Sequence, residues 1–328
     1  MEILDWGGSG KACVLLPGLA ETAHAFDEFA PKLAVACHVY AITRRGFGAS
    51  SRPAVGYSAD RLAGDVISVI MALRLSQPVL IGHSIGGSEL STVGTKRPDL
   101  IGGLVYLDAG YFYAYDSEQA ATWGQSLDSL LDKLQELKKG PTDPKPLVKE
   151  LLDQRLPEFE KQLKGLLASF DQPRAPAPSD SDRSSFGALR NWFSSVQGTP
   201  FPESELRQRY EANTDGTVGK AKYTPGVARQ VQENTQRRKQ LTLRLPVLAI
   251  YASPHNPGPW ARKDPSLRDT FAFTAAQDQT ATDAIADAFQ KAVPTAHVLK
   301  MRNASHLIYL SNEEEVLREL RGFLATIP

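Results

Sequence analysis

Short apolar runs recur along the 328-residue chain and alternate with segments of helical periodicity. Each run is apolar at successive positions, which is typical of strands in a parallel sheet that is covered on both faces. Alternation of such strands with helices predicts an α/β fold with a mostly parallel central sheet flanked by helices. The predicted strands are residues 2–6, 13–16, 38–43, 79–82, 104–108, 247–252 and 298–301.

Two of the predicted helices carry clear start signals. Ser58 precedes a segment in which Leu62, Val66 and Ile70 follow a 3.6-residue period, so its hydroxyl is expected to cap that helix. Asn312 is expected to cap the last helix, over residues 312–326, because acidic residues fill the first turn after it.

The alternation is interrupted between the two halves of the predicted sheet. Residues 111–242 show no strand signal and consist of long polar helical segments around a Pro/Ser/Asp stretch at 172–184. That stretch is compatible with a disordered linker, but its length favours a loop. We therefore expect one core domain, residues 1–110 and 243–328, with residues 111–242 inserted as a helical cap.

Composition excludes several classes of function. Lys+Arg and Asp+Glu both number 37, and this neutral balance lacks the basic excess of nucleic-acid binders. The two cysteines, Cys13 and Cys37, do not form a disulfide framework or a metal-binding spacing. No apolar run reaches the roughly 18 residues of a membrane span, and the first residues, Met1 to Trp6, lack the basic and apolar regions that are expected of a signal peptide. The sequence predicts a cytoplasmic protein; removal of a leader would make it periplasmic or secreted.

The strongest chemical signal is the motif Gly82-His83-Ser84-Ile85-Gly86, which lies between a predicted strand and a predicted helix. G-x-S-x-G in this context is a nucleophile elbow, in which small neighbours allow a strained turn to expose the serine hydroxyl. The alternative is a glycine-rich turn with an incidental serine. The flanking strand and helix favour Ser84 as a nucleophile.

Two further segments supply partners for Ser84. The loop Leu15-Leu16-Pro17-Gly18-Leu19 ends the first core strand, and in this architecture its N–H groups help to form an oxyanion hole. The predicted donors are the N–H groups of Leu19 and Ile85. His306 follows the last predicted strand, where a loop histidine suits the chain order serine, acid, histidine, so it is the predicted general base.

With these motifs the chain resembles the α/β-hydrolase fold superfamily, in particular serine esterases with a helical cap. The segment Arg44-Arg45-Gly46-Phe47-Gly48 resembles the family's loop after its fourth strand, where Asp-Arg-Gly is frequent. Arg44 departs from that aspartate, and Pro17 departs from the histidine that commonly precedes the oxyanion-hole glycine. Neither departure removes a backbone donor.

The acidic member of the triad is the least regular part of the resemblance. The family's usual acid loop corresponds to residues 253–258, which contain no carboxylate. Some members place the acid one strand earlier, and that position matches Asp108, which is our prediction. Two alternatives remain open: the downstream Asp264, and a dyad in which Asn256 orients His306.

The resemblance implies hydrolysis of carboxylic esters through an acyl-enzyme, with an uncharged small-molecule ester as substrate and no cofactor or metal. Lactone, thioester, amide and C–C bond hydrolysis use the same triad and stay open, as does a non-catalytic small-molecule binder on this scaffold. Ser84 argues against dehalogenases and epoxide hydrolases, which use an aspartate nucleophile. The sequence does not indicate the oligomeric state. The predicted substrate pocket includes His83, Tyr111, Trp123 and Trp192.

Overall fold

A seven-stranded sheet forms the centre of the computed structural model, which describes residues 1–115, 123–170, 173–222, 225–234, 242–263 and 265–327. The strand order is β1-β3-β2-β4-β5-β8-β9, in which β1 is antiparallel to β3 and all other neighbours are parallel. A separate hairpin pairs β6 with β7. The strands are β1 Ile3–Asp5, β2 Ala12–Leu16, β3 His38–Ile42, β4 Val79–His83, β5 Gly103–Leu107, β6 Tyr210–Ala212, β7 Val218–Ala221, β8 Val247–Ala252 and β9 Ala296–Met301.

Both faces of the sheet are buried, as the apolar runs predict. In β2 the side chains of Val14 and Leu16 join the core on one face, whereas Cys13 and Leu15 join the core on the other. This alternation follows from the two-residue period of a strand. The predicted fold class, a mostly parallel α/β sheet flanked by helices, is confirmed.

Helices connect the strands and form both outer layers. Ser58 Oγ caps α2 by accepting the Arg61 N–H, as predicted. The prediction for Asn312 was wrong: it precedes α13 but makes no side-chain cap, because its Oδ1 accepts from the Ser311 hydroxyl instead (3.0 Å). The helices are α1 Ala30–Leu33, α2 Ala59–Ala72, α3 Gly86–Lys96, α4 Trp123–Lys138, α5 Lys145–Glu150, α6 Leu156–Phe170, α7 Phe186–Gln197, α8 Glu203–Arg209, α9 Pro225–Asn234, α10 Trp260–Lys263, α11 Arg268–Ala292, α12 Ile308–Ser311 and α13 Glu313–Thr326.

The chain divides into two compact units whose boundaries differ from the predicted insertion. One unit is Met1–Asp116 with Ala175–Pro328, and the other is Ser117–Arg174. Residues 175–242 belong to the first unit because the cluster of α7, α8 and β7 packs against Leu307 and Leu310. The second unit has its own small core of Leu130, Leu147 and Leu151.

The β6–β7 hairpin corrects the expectation that residues 111–242 contain no strand. Its strands have only three and four residues and a mostly exposed or half-buried pattern, so they lack the apolar run that marks the core strands. Cys13 and Cys37 are joined in a disulfide, with Cα atoms 6.1 Å apart. Among the described residues, no helix combines the length and the apolar character needed to cross a membrane.

Candidate active site

Ser84 occupies the sharp turn between β4 and α3. Its φ is +51°, a left-handed conformation that is costly for a residue with a side chain and is typical of functional turns. Close packing around the turn requires glycine: a Cβ at Gly86 would lie 2.9 Å from the Leu16 carbonyl oxygen, and one at Gly87 would lie 2.0 Å from that of Ala109. The predicted elbow geometry is therefore present, and it brings α3 against the end of β2.

The structure brings Ser84, His306 and Asp108 together in a hydrogen-bonded line. The Ser84 hydroxyl and His306 Nε2 are 2.9 Å apart, and His306 Nδ1 is 2.6 Å from Asp108 Oδ2. Asp108 follows β5 and is fully buried, whereas about half of the His306 side chain is exposed. The hydrogen-bonded pairs are separated by 222 and 198 positions in the chain, and the parallel order β4-β5-β8-β9 brings the loops that carry these residues to the same edge of the sheet.

Asp108 accepts hydrogen bonds from four groups. Its Oδ2 accepts from His306 and from His255 Nε2 (2.8 Å), and its Oδ1 accepts from the Tyr111 hydroxyl (2.8 Å) and the Ala252 N–H (3.1 Å). Burial alone would raise the pKa of Asp108, but the bonds from His255 and His306 outweigh it and hold this pKa well below its ordinary value. The carboxylate is therefore ionised and its acceptor positions are filled.

His255 is a member of this cluster that the sequence analysis missed. It lies in the loop where the family's usual acid is absent, and its Nδ1 faces Asp278 Oδ2 of α11 at 2.9 Å. The Asp278 carboxylate also accepts the His255 N–H at 2.6 Å. Burial opposes a charge on His255, but Asp108 and Asp278 together raise its pKa to about 10. The sequence feature that could have identified His255 is a histidine in the loop where the family's acid is missing.

The other two candidate acids are placed differently. Asp264 lies outside the described residues. Asn256 is engaged elsewhere, since its Oδ1 accepts the Gly258 N–H at 2.9 Å and its amide approaches the Asn303 carbonyl at 3.4 Å. Among the described candidates, Asp108 is the group within hydrogen-bond distance of the His306 imidazole.

The cluster of Asp108, His255 and His306 contains residue types that bind metal ions, with the relevant atoms within 4.8 Å of one another. Around tetrahedral zinc, bonded at about 2.0–2.2 Å, neighbouring ligand atoms lie about 3.3 Å apart. The two N···O distances at Asp108 are 2.6 and 2.8 Å, which are those of charge-assisted hydrogen bonds. This geometry fits protons shared between the Asp108 carboxylate and the two imidazoles.

Arg44 holds the loop that carries the predicted oxyanion donor Leu19. Its buried guanidinium donates to the carbonyl oxygens of Pro17 (2.9 Å) and Gly18 (3.0 Å). It also makes two hydrogen bonds of 2.7 Å with Glu89 of α3. Since α3 begins after Ile85, this arginine ties the loop after β2 to the helix that follows Ser84. The departure from the family's aspartate thus has a structural role that the sequence did not reveal.

His83 and Glu21 form a buried ion pair behind Ser84. Glu21 Oε2 accepts the Gly18 N–H at 2.8 Å and lies 3.0 Å from His83 Nδ1, while His83 Nε2 donates to the His306 carbonyl at 2.9 Å. Burial alone would raise the pKa of Glu21, but His83 and Arg209 lower it to about 2. Burial opposes charge on His83, yet Glu21 raises its pKa. His83, predicted to line the pocket, is instead buried and joins the Leu19 loop to the His306 loop.

Arg209 and Glu205 of α8 extend this network. Arg209 lies 3.3 Å from Glu21 and 2.8 Å from Glu205, and Glu205 accepts the Thr22 N–H at 3.2 Å. Burial raises the pKa of Glu205 to about 7 against the opposing effect of Arg209 and Thr22. The side chains of Arg209 and Glu205 thus connect the segment after residue 175 to Glu21 and Thr22, in the loop beside the Ser84 turn.

A cleft of about 350 Å³ opens beside His306. Its wall is mixed: Phe193, Phe201 and Trp260 supply aromatic surface, whereas Glu21 and Arg209 bring charged groups to it. Trp192 packs edge-on against Phe193 at 4.8 Å, and it is Phe193 that reaches the cleft. Tyr111 binds Asp108, while Tyr113 is hydrogen-bonded to Ser84. The side chain of Trp123 lies outside the described residues.

Comparison with known sequences reveals relatives that share part of this chain. A stretch of 101 residues is 31% identical to 2-(acetamidomethylene)succinate hydrolase of Mesorhizobium japonicum, and covers 31% of this chain and 36% of that protein. N-formylmaleamate deformylase of Pseudomonas putida is 36% identical over 84 residues, which are 25% of this chain and 31% of the deformylase. The alignments thus span about a third of the length of the curated relatives.

Solved structures show the same fold over the whole chain. A crystal structure of E-2-(acetamidomethylene)succinate hydrolase superposes with a TM-score of 0.60 at 15% identity, over 99% of this chain and 94% of the other. A marine microorganism esterase gives a TM-score of 0.55 at 14% identity, over 98% of both chains. The sequence profile described as the alpha/beta hydrolase family matches residues 13–319. The chain therefore belongs to the alpha/beta hydrolase family.

Proposed function

We propose that this protein is a serine hydrolase that cleaves carboxylic esters through an acyl-enzyme on Ser84. His306 takes the proton from the Ser84 hydroxyl as that oxygen attacks the ester carbonyl, and then gives it to the departing alcohol. Water attacks the acyl-enzyme with His306 again acting as base, which regenerates Ser84 and releases the acid. Asp108 keeps the Nδ1 proton on His306 and stabilises the imidazolium that forms.

The observation that carries the proposal is the line from Ser84 Oγ to His306 to Asp108, with distances of 2.9 and 2.6 Å. A general base must lie within about 2.6–3.2 Å of the heavy atom that carries the proton it removes, and His306 Nε2, 2.9 Å from Ser84 Oγ, meets this condition before any substrate binds. The left-handed turn at Ser84 adds support, because nucleophile elbows store such strain.

The proposed oxyanion donors are the N–H groups of Leu19 and Ile85. Arg44 and Glu21 bind the loop of Leu19 from two directions, through the Pro17 and Gly18 carbonyls and through the Gly18 N–H. Such preorganisation matters because removal of one donor typically costs about 10²–10³ in kcat. The loop is thus held by buried charges before a substrate arrives.

The aromatic side chains of the cleft beside His306 suit an uncharged acyl or alcohol group, while the charged Glu21 and Arg209 of the same cleft are paired with each other. Amide hydrolysis is the second candidate, and the observation that favours it is the likeness to two enzymes named as a deformylase and as a hydrolase of an acetamido compound. Both reactions pass through the same type of tetrahedral intermediate, in which Ser84 Oγ is bonded to the former carbonyl carbon, so the residue roles stay unchanged. The leaving group is an amine in place of an alcohol.

The test is a panel of p-nitrophenyl esters of increasing chain length, several lactones and N-formyl and N-acetyl amides. We expect turnover of at least one class, and a loss of about 10⁴-fold or more in the Ser84→Ala variant. The ester-to-amide ratio of kcat/KM then decides between the two candidates. Equal rates for wild type and Ser84→Ala across the panel would contradict a serine hydrolase and favour a non-catalytic binder.

A further inference from the structure

Asp108 shares its carboxylate between two imidazoles, whereas the proposed triad needs only one. His306 and His255 both donate to the same oxygen, Oδ2, at 2.6 and 2.8 Å. The two ring centroids are 6.1 Å apart. Any charge on His255 therefore lies close to the imidazolium that would form on His306 during catalysis.

The neighbours of His255 fix its protonation state by geometry. An ionised carboxylate only accepts hydrogen bonds, and a neutral imidazole carries only one N–H. Both ring nitrogens of His255 face carboxylates, Nε2 towards Asp108 and Nδ1 towards Asp278. Both positions are satisfied only when His255 is a cation, and the raised pKa of about 10 agrees with this assignment.

Other charged and titratable groups also lie around the two imidazoles. The Tyr111 hydroxyl lies 3.2 Å from His255 Nε2 and donates to Asp108. A cleft of about 430 Å³ on the side of His255 is lined by Arg262 of α10 and Arg268 of α11. Besides Asp108 and His255, the described charged or titratable groups near His306 include the His83 ring, centred 4.8 Å away, and the Glu21 and Arg209 side chains of the adjoining cleft.

We propose that His255 and Asp278 extend the triad, so that a cationic His255 shares Asp108 with His306 and sets the pH range over which the enzyme works. This inference rests on the proposed function, because it assigns His255 as a positioning residue for the catalytic base. The cation opposes the addition of a proton to His306. It therefore keeps His306 available as a base at a lower pH than the three-residue triad alone would allow.

Coulomb's law gives the size of the effect. Two unit charges separated by 6.1 Å, the distance between the ring centroids of His255 and His306, repel each other. In water-like surroundings this repulsion displaces the midpoint of the pH profile by about half a unit, and at an effective dielectric constant near 20 by about two units. Since His306 is half exposed, the expected shift lies towards the lower end of this range.

The activity test uses the pH profile of kcat/KM for His255→Gln, in which the amide still donates to Asp108 but carries no charge. We expect the midpoint of the acid limb to move up by about half a unit to two units in His255→Gln. The double variant His255→Gln/Asp278→Asn should show the same change, and in this variant no unpaired Asp278 carboxylate is left behind. Asp287→Asn is the matched control, because it removes an acid from the same helix that pairs with Lys300 and not with His255. An unchanged or lowered midpoint in His255→Gln would overturn the proposal.

Nuclear magnetic resonance of wild type and Asp278→Asn tests the same inference without a substrate. We expect the His255 ring of the wild type to stay doubly protonated from pH 5 to pH 9, and to titrate at a lower pH in Asp278→Asn. Assignment comes from the signal that His255→Gln loses. A wild-type His255 that titrates near the ordinary pKa of histidine would refute the extended triad. Failure of the proposed function alone would give a different result, an inactive protein in which His255 is still a cation.

Discussion

Replacement of Glu21 by glutamine should change how the stability of the fold depends on pH. The Glu21 side chain is 7% exposed and lies 3.0 Å from His83 Nδ1. Its pKa falls from an ordinary value of 4.5 to about 2 in the folded protein, where the effects of His83 and Arg209 exceed the opposing effect of burial. The unfolded chain therefore binds this proton at a higher pH than the folded chain does.

The magnitude follows from linkage. The pKa difference corresponds to about 3 kcal/mol of folding free energy, which is fully present above pH 5 and is lost as the pH falls towards 2. About 2 kcal/mol of it has gone by pH 3. At neutral pH, Glu21→Gln also leaves His83 buried without its anion, and the loss of one partner of a buried pair typically costs about 3–5 kcal/mol.

Urea unfolding followed by tryptophan fluorescence at pH 7, 5, 4 and 3 measures both effects. The gap in unfolding free energy between wild type and Glu21→Gln should be wider at pH 5 than at pH 7, because a buried His83 without Glu21 resists the proton that it takes up in the unfolded chain. Protonation of Glu21 in wild type should then remove up to about 2 kcal/mol of the gap between pH 5 and pH 3. Glu28→Gln is the matched control, because Glu28 forms a half-exposed pair with Arg190, and such pairs contribute little. A gap that stays constant from pH 7 to pH 3 would refute the role of Glu21 as a buried anion.

Three further perturbations probe other parts of the site. Asp108→Asn should reduce kcat by about 10⁴-fold while circular dichroism still reports a folded protein; activity within tenfold of wild type would reject Asp108 as the triad acid. Arg44→Lys keeps the charge but loses the two-point contact with Glu89, so it should lower both Tm and kcat; an unchanged kcat would show that the Leu19 loop does not depend on Arg44. Gly87→Ala places a Cβ 2.0 Å from the Ala109 carbonyl oxygen and should lower Tm strongly. Gly64→Ala, in open space on α2, should raise stability by about 0.5–1 kcal/mol. Equal Tm values for the two variants would contradict the packing argument.

The sequence predicted the parts of the molecule that depend on local pattern. The apolar runs identified the core strands, and β8 begins and ends at the predicted residues, 247 and 252. The glycines around Ser84 identified the elbow, because that tight turn requires small residues at positions next to the serine in the sequence. The prediction of Asp108 was less direct, because it depended on the absence of a carboxylate from the loop after β8.

The remaining parts depend on contacts between distant segments. Asp278 lies 23 residues after His255 on a helix whose orientation no local pattern specifies. Glu205 reaches Thr22 across 183 residues, and this contact helps to join α8 to the first unit although α8 lies within the predicted cap. The short β6–β7 hairpin lacks an apolar run, so periodicity does not reveal it.

The most direct test of the central claim is the site and rate of labelling by a fluorophosphonate, which reacts with an activated serine. Peptide mass spectrometry should find the phosphonyl group on Ser84, and His306→Asn should slow its attachment by at least about 10³-fold, because the hydroxyl then lacks its base. Labelling elsewhere, or labelling of Ser84 at the same rate in wild type and His306→Asn, would contradict a nucleophilic Ser84 activated by His306.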